Sequence, residues 1–138
     1  MNPHEDGRKR GLRATVVKVL RHRREDRGMS LEPHPSRCIR AGEVHELVTT
    51  DHRDTATGAR IDRVGFLGFA EFGSAGVLDR GDELRIGERL VGTVLGFDAC
   101  HYPNHYNILV RTSIPCTGEE IGLEPETKLA FDQASARG

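Results

Sequence analysis

Residues 60–72 read Arg60-Ile-Asp-Arg-Val-Gly-Phe-Leu-Gly-Phe-Ala-Glu-Phe72. Ile61 and Val64 open the run, and Phe66, Leu67, Phe69 and Phe72 fill it. β-branched and aromatic side chains suit a pleated, buried surface, so this is the strongest strand signal in the chain. Gly65 and Gly68 are costly in a flat strand. They are expected where a barrel strand bends or where another group comes close. Glu71 stands between Ala70 and Phe72. On the alternation it points outward; as a partly buried carboxylate at the end of a core strand it would be a candidate acid.

Short strands with Gly-containing turns continue on both sides of this run. Leu12 to Leu20 is β-branched and reads as a strand. Arg21 to Pro35 is a charged, proline-containing loop, long enough to serve as a lid or binding loop. In Arg37 to Thr50, alternation places Val44, Glu46 and Val48 on one face and Glu43, His45 and Leu47 on the other. Residues 51–58 read as a turn. Asp79-Arg80-Gly81-Asp82 leads into a strand at Glu83 to Ile86. Gly87-Glu88 is a two-residue hairpin turn, and Arg89 to Leu95 returns. Asn107 to Thr112 and Lys128 to Phe131 complete the set. Helical periodicity is weak throughout. The expected fold is all-β: a small single-domain β-barrel with little or no helix, spanning residues 12–131. Residues 1–11, with the basic cluster Arg8-Lys9-Arg10, read as a disordered N-terminal tail and 132–138 as a C-terminal tail.

Composition narrows the function classes. The 138 residues fit one domain; 36% are hydrophobic and 30% charged. The net charge of −1 lacks the basic excess of a general nucleic-acid or anionic-membrane binder, so neither partner is expected. Arg far outnumbers Lys, but no spacing gathers the arginines into a phosphate motif. Cys38, Cys100 and Cys116 have no CxxC spacing. An odd count without a signal-like apolar run indicates a reduced, cytoplasmic protein. No stretch approaches the roughly 20 apolar residues of a membrane span. Unpaired strand edges leave room for a homodimer.

The candidate functional stretch is Gly96-Phe-Asp-Ala-Cys-His-Tyr-Pro-Asn-His-Tyr-Asn-Ile-Leu109. It holds both tyrosines of the chain, two of its seven histidines and one of its three cysteines. These are groups that titrate, ligate or hydrogen-bond in fixed directions. The expected chemistry is metal-free acid–base catalysis on a small polar metabolite, of the isomerase, cyclase, lyase or dehydratase type. His101 or His105 would be the base, and Asp98 would orient a ring. Tyr102, Asn104, Tyr106 and Asn107 would bind the ligand, with Tyr102, Tyr106 and Asn104 as donors to an oxyanion. Glu71 and His45 are further candidates. Cys100 could act as a nucleophile if its thiol pKa were depressed. No cofactor is expected. Were zinc or iron bound, Cys100, His101 and His105 would be the ligands, although Pro103 argues against the helix that would align His101 with His105. A ligand-binding or carrier module without catalysis is the alternative.

The C-terminal half also resembles a known family. The segments are Gly76-Val-Leu-Asp-Arg-Gly81-Asp-Glu-Leu-Arg-Ile-Gly87, Thr93-Val-Leu-Gly96, Asn104-His105, Asn107-Ile108, Ile121-Gly-Leu-Glu-Pro125 and Lys128-Leu-Ala-Phe131. They resemble the glucitol/sorbitol-specific IIA component of the sugar phosphotransferase system, over roughly half the chain. The resemblance implies a small β-barrel carrying a phosphoryl group on a histidine. That histidine lies in the family on the strand before the Gly-x-Leu-x-x-Gly turn, and Val64 to Phe72 contains none.

Overall fold

The computed structural model describes residues 7–134. Among them there are twelve strands and no helix: β1 (Leu12–Val19), β2 (Arg23–Arg24), β3 (Met29–Ser30), β4 (Ser36–Ile39), β5 (Val44–Thr50), β6 (Arg60–Ile61), β7 (Val64–Phe72), β8 (Gly76–Asp79), β9 (Glu83–Ile86), β10 (Arg89–Asp98), β11 (Asn107–Arg111) and β12 (Lys128–Asp132). The all-β single domain is as the strand pattern predicts. With no helix at all, none of the described residues forms one long and apolar enough to cross a membrane.

Seven strands form a closed circuit of pairings, β1–β12–β9–β10–β11–β5–β7 and back to β1. Each strand of the circuit therefore has a neighbour on both sides, which removes the open edges that invite pairing with another chain. All these pairs are antiparallel except β5 with β11, which is parallel. β2 pairs with the start of β7, while β3–β6 and β4–β8 form two small separate ribbons.

β7 is the strand on which the circuit turns. It pairs with both β5 and β1, and both registers shift along it. Its glycines permit this. A Cβ on Gly68 would lie 2.2 Å from the Lys18 carbonyl oxygen, and its φ of +149° disfavours other residues. A Cβ on Gly65 would lie 2.4 Å from the Cys116 carbonyl. The close approach expected at these positions is made by backbone.

Two apolar clusters result. The larger includes Leu12, Val16, Leu47, Leu67, Phe72, Phe97, Ile108 and Phe131. The smaller gathers Met29, Leu31, Val48, Ile61, Val64, Phe66, Leu95 and Leu109. Met29 and Leu31 are almost fully buried and pin the otherwise largely exposed Arg21–Pro35 stretch to the smaller cluster. Arg37 to Thr50 is divided into β4 and β5 by a turn. The N-terminal segment also differs from the expected tail. Residues 1–6 lie outside the described residues, but Lys9 pairs with Asp79 at 2.7 Å and Asp82 at 2.5 Å. At the other end, Asp132 still belongs to β12; residues 135–138 of the expected tail lie outside the described residues.

Candidate functional site

The stretch after Gly96 is shorter as a loop than its sequence indicates. β10 runs on to Asp98, β11 begins at Asn107, and these two residues face each other in register. The Asn107 amide donates to Asp98 Oδ1 at 2.9 Å in a buried contact. The same carboxylate accepts from Ser30 N at 2.8 Å and from Cys100 N at 3.0 Å. Burial pushes the Asp98 carboxyl up, but hydrogen bonds from the Cys100 thiol and backbone, Ser30 and Asn107 outweigh it and hold the group below its ordinary value. Asp98 is thus the clasp at the base of the loop. None of its hydrogen bonds goes to an imidazole, so the expected ring-orienting role does not fall to it.

Between these ends the chain makes one tight turn. Tyr102 N donates to Ala99 O, Asn104 N to His101 O, and His105 N to His101 O at 3.3 Å. A single i to i+4 closure suffices to bring the two histidines to the same side without a helix. The imidazoles of His101 and His105 stack with centroids 5.0 Å apart. The carboxylate that meets them is Glu46 of β5, whose Oε1 lies 3.4 Å from His105 Nε2. One donor atom from each of Glu46, His101 and His105 lies within 4.8 Å of the other two. Glu46 and His105 are buried, while His101 is exposed. Phe69 packs edge-on against His105 at 5.1 Å, and Asn104 Nδ2 lies 2.8 Å from His105 Nδ1.

Glu46 is the residue that sequence reasoning missed. It was legible as a carboxylate on the Val44–Val48 face of a strand, but its value depends on the parallel pairing of β5 with β11. That pairing sets Glu46 opposite Asn107, with Glu46 N bonded to Tyr106 O.

The other candidates fall in different places. Glu71 is exposed and paired in register with Val44 and Thr15, outside the imidazole cluster. His45 is buried, and both its ring nitrogens are engaged. Nδ1 accepts from Tyr106 N at 3.0 Å and Nε2 faces Glu43 Oε1 at 2.8 Å. These two contacts tie it to the Tyr106 backbone and to Glu43, away from the His101–His105 pair. Cys100 does not join the imidazoles. Its sulfur is contacted by the Asn107 amide and the Arg27 guanidinium, each at 3.3 Å. Burial and the Asp98 carboxylate push its thiol pKa up, opposite to what a nucleophile needs. Cys38, Cys100 and Cys116 are all free thiols. Arg27, from the Arg21–Pro35 stretch, also reaches His101 Nε2 at 3.1 Å.

A cleft of about 450 Å³ opens beside this cluster, between the β4–β5 turn and the 99–106 loop. Arg37, Arg40, Glu43, His45, Tyr102, Asn104, His105 and Tyr106 line it. The Arg37 guanidinium stacks over the Tyr106 ring, 3.6 Å from its centroid. Among the described residues, neither Arg37 nor Arg40 has a carboxylate partner.

Fold and site together define an all-β domain whose polar cleft adjoins a buried carboxylate–imidazole pair. The chain belongs to a family of unknown function, DUF6917, whose model matches residues 6–132. That match covers nearly the whole chain, and none of the comparisons supports the expected resemblance to the phosphotransferase component. No curated protein and no solved structure matches the chain.

Proposed function

We propose that this protein binds a small anionic metabolite in the cleft and acts on it by proton transfer. The observation that carries the reading is the pair of arginines, Arg37 and Arg40, without carboxylate partners among the described residues, in a cleft that His105 also lines. Two such arginines beside aromatic rings suit a carboxylate or phosphate, which a planar guanidinium binds in bidentate fashion. Tyr102, Asn104 and Tyr106 add donors of fixed direction. Proton transfer falls to His105, with Glu46 behind Nε2 where Asp98 was expected.

The test is chemical-shift mapping with a panel of small mono- and dicarboxylates and phosphate monoesters. Saturable shifts at Arg37, Arg40, Tyr106 and His105 are expected. They should be lost in Arg37→Ala/Arg40→Ala, and deuterium uptake into bound ligand C–H positions should be lost in His105→Gln. The reading fails if no anion moves these residues, or if the double arginine variant binds as well as the parent. The carrier alternative predicts a phosphohistidine after treatment with a phosphoryl donor; β7 has no histidine to accept one.

A further inference from the structure

The geometry points to a divalent transition-metal site formed by Glu46, His101 and His105, beside the cleft that His105 lines. Two imidazoles and one carboxylate are a donor set that zinc and ferrous iron accept while keeping positions free for another ligand. Donors about 2.1 Å from an ion and arranged as a tetrahedron lie roughly 3.4 Å from one another. His105 Nε2 and Glu46 Oε1 already stand 3.4 Å apart. The third donor, a ring nitrogen of His101, is within 4.8 Å of both. His101 is the exposed member of the three, held by its stack on His105 and by Arg27, and its ring is the one that would move to close the remaining gap.

Several neighbours prepare these donors. The sheet fixes Glu46, and Phe69 fixes the His105 ring. Arg27 contacts His101 Nε2. Since a guanidinium only donates, that nitrogen presents its lone pair, as a ligand must. Asn104 holds His105 Nδ1. With its amide turned to present oxygen, it would accept Nδ1–H and leave Nε2 free to ligate, which is the usual support for a metal-bound histidine. Among the described residues, Arg27 is the cation hydrogen-bonded to this cluster, and it competes with an ion for it. The ligand set differs from Cys100, His101 and His105, because the Cys100 sulfur is engaged elsewhere.

The proposal does not depend on what the cleft binds. With a metal in place, His105 is a ligand and not a base; anion binding by Arg37 and Arg40 is independent of the ion, whereas proton transfer by His105 belongs to the metal-free protein. The experiment is titration of untagged, chelator-stripped full-length protein with Co(II) and Zn(II). It follows the cobalt ligand-field bands, the stoichiometry and the histidine ring resonances. One ion per chain is expected, with shifts of His101 and His105. Affinity should fall at least about tenfold in Glu46→Gln and in His101→Ala. Cys100→Ser should bind as the parent does, and Arg27→Ala at least as tightly. The surface position of His101 lets that variant fold, which a circular dichroism spectrum would verify. Absence of stoichiometric binding to the parent protein overturns the proposal. So does binding that survives Glu46→Gln and His101→Ala, or that is lost in Cys100→Ser. Anion binding by the stripped protein, followed in the same samples, reports on the cleft separately.

Discussion

Glu46 and Glu71 lie on two neighbouring strands of one sheet, yet their surroundings oppose one another. Glu46 is 7% exposed and faces His105, whereas Glu71 is open to solvent. Glu71→Gln should therefore leave stability within about 0.5 kcal/mol of the parent and anion binding unchanged. His45 is the contrasting case among the histidines. Removing it strands the Tyr106 N–H and Glu43 and leaves a void against Phe72. His45→Ala should cost about 2–3 kcal/mol. Urea denaturation of the two variants checks both values. A His45→Ala protein as stable as the parent would show that His45 has no structural role.

At the scale of elements, the loop and β7 each depend on one residue. The loop is closed by Asp98, whose carboxyl titrates below its unfolded value of about 3.9. As pH falls, the unfolded chain takes up this proton first. The stability from Asp98 is therefore complete above about pH 4 and is lost as pH drops through the folded value. Denaturation midpoints between pH 6 and pH 3 should fall less steeply in Asp98→Asn than in the parent; equal slopes would mean that the clasp contributes nothing. In β7, Gly68→Ala places a Cβ against the Lys18 carbonyl at a φ of +149°. The strain and the clash together should cost at least about 2 kcal/mol and lower Tm by on the order of 5–10 °C, read by calorimetry.

Over the whole molecule, closure of the strand circuit is supplemented by a tie from the N-terminal segment. Lys9 bridges Asp79 and the buried Asp82 beside the β8–β9 turn. Burial pushes the Asp82 carboxyl above its ordinary value, and Lys9 opposes that shift. Without Lys9 the carboxylate is left uncompensated at neutral pH. Lys9→Ala should cost about 1–3 kcal/mol at pH 7, less than for a fully buried pair because the ammonium keeps some contact with water. A folded pKa raised above the unfolded one makes the protonated form the better tolerated. The deficit should shrink as pH falls and Asp82 takes up its proton. A deficit independent of pH would assign the effect to lost packing of the lysine stem.

Local sequence determined the strands and the inventory of the loop, because strand propensity, turn glycines and a two-residue hairpin act over a few residues. Leu12–Val19, Val64–Phe72, the Gly87-Glu88 turn and the Arg89 hairpin strand are all legible in that way. So is the concentration of His, Tyr and Asn between Asp98 and Asn107. The closeness of His101 and His105 was hidden by Pro103, which excludes a helix but allows a single turn. Two further features came only from tertiary structure. One is the parallel pairing of β5 with β11, which delivers Glu46 to His105 from 59 residues away. The other is the gathering of Arg37 and Arg40 beside Tyr106 and His105, in a chain whose many arginines formed no motif. Register between distant strands depends on which faces bury together across the whole circuit. No local spacing encodes it, and it decides which carboxylate stands beside the histidines.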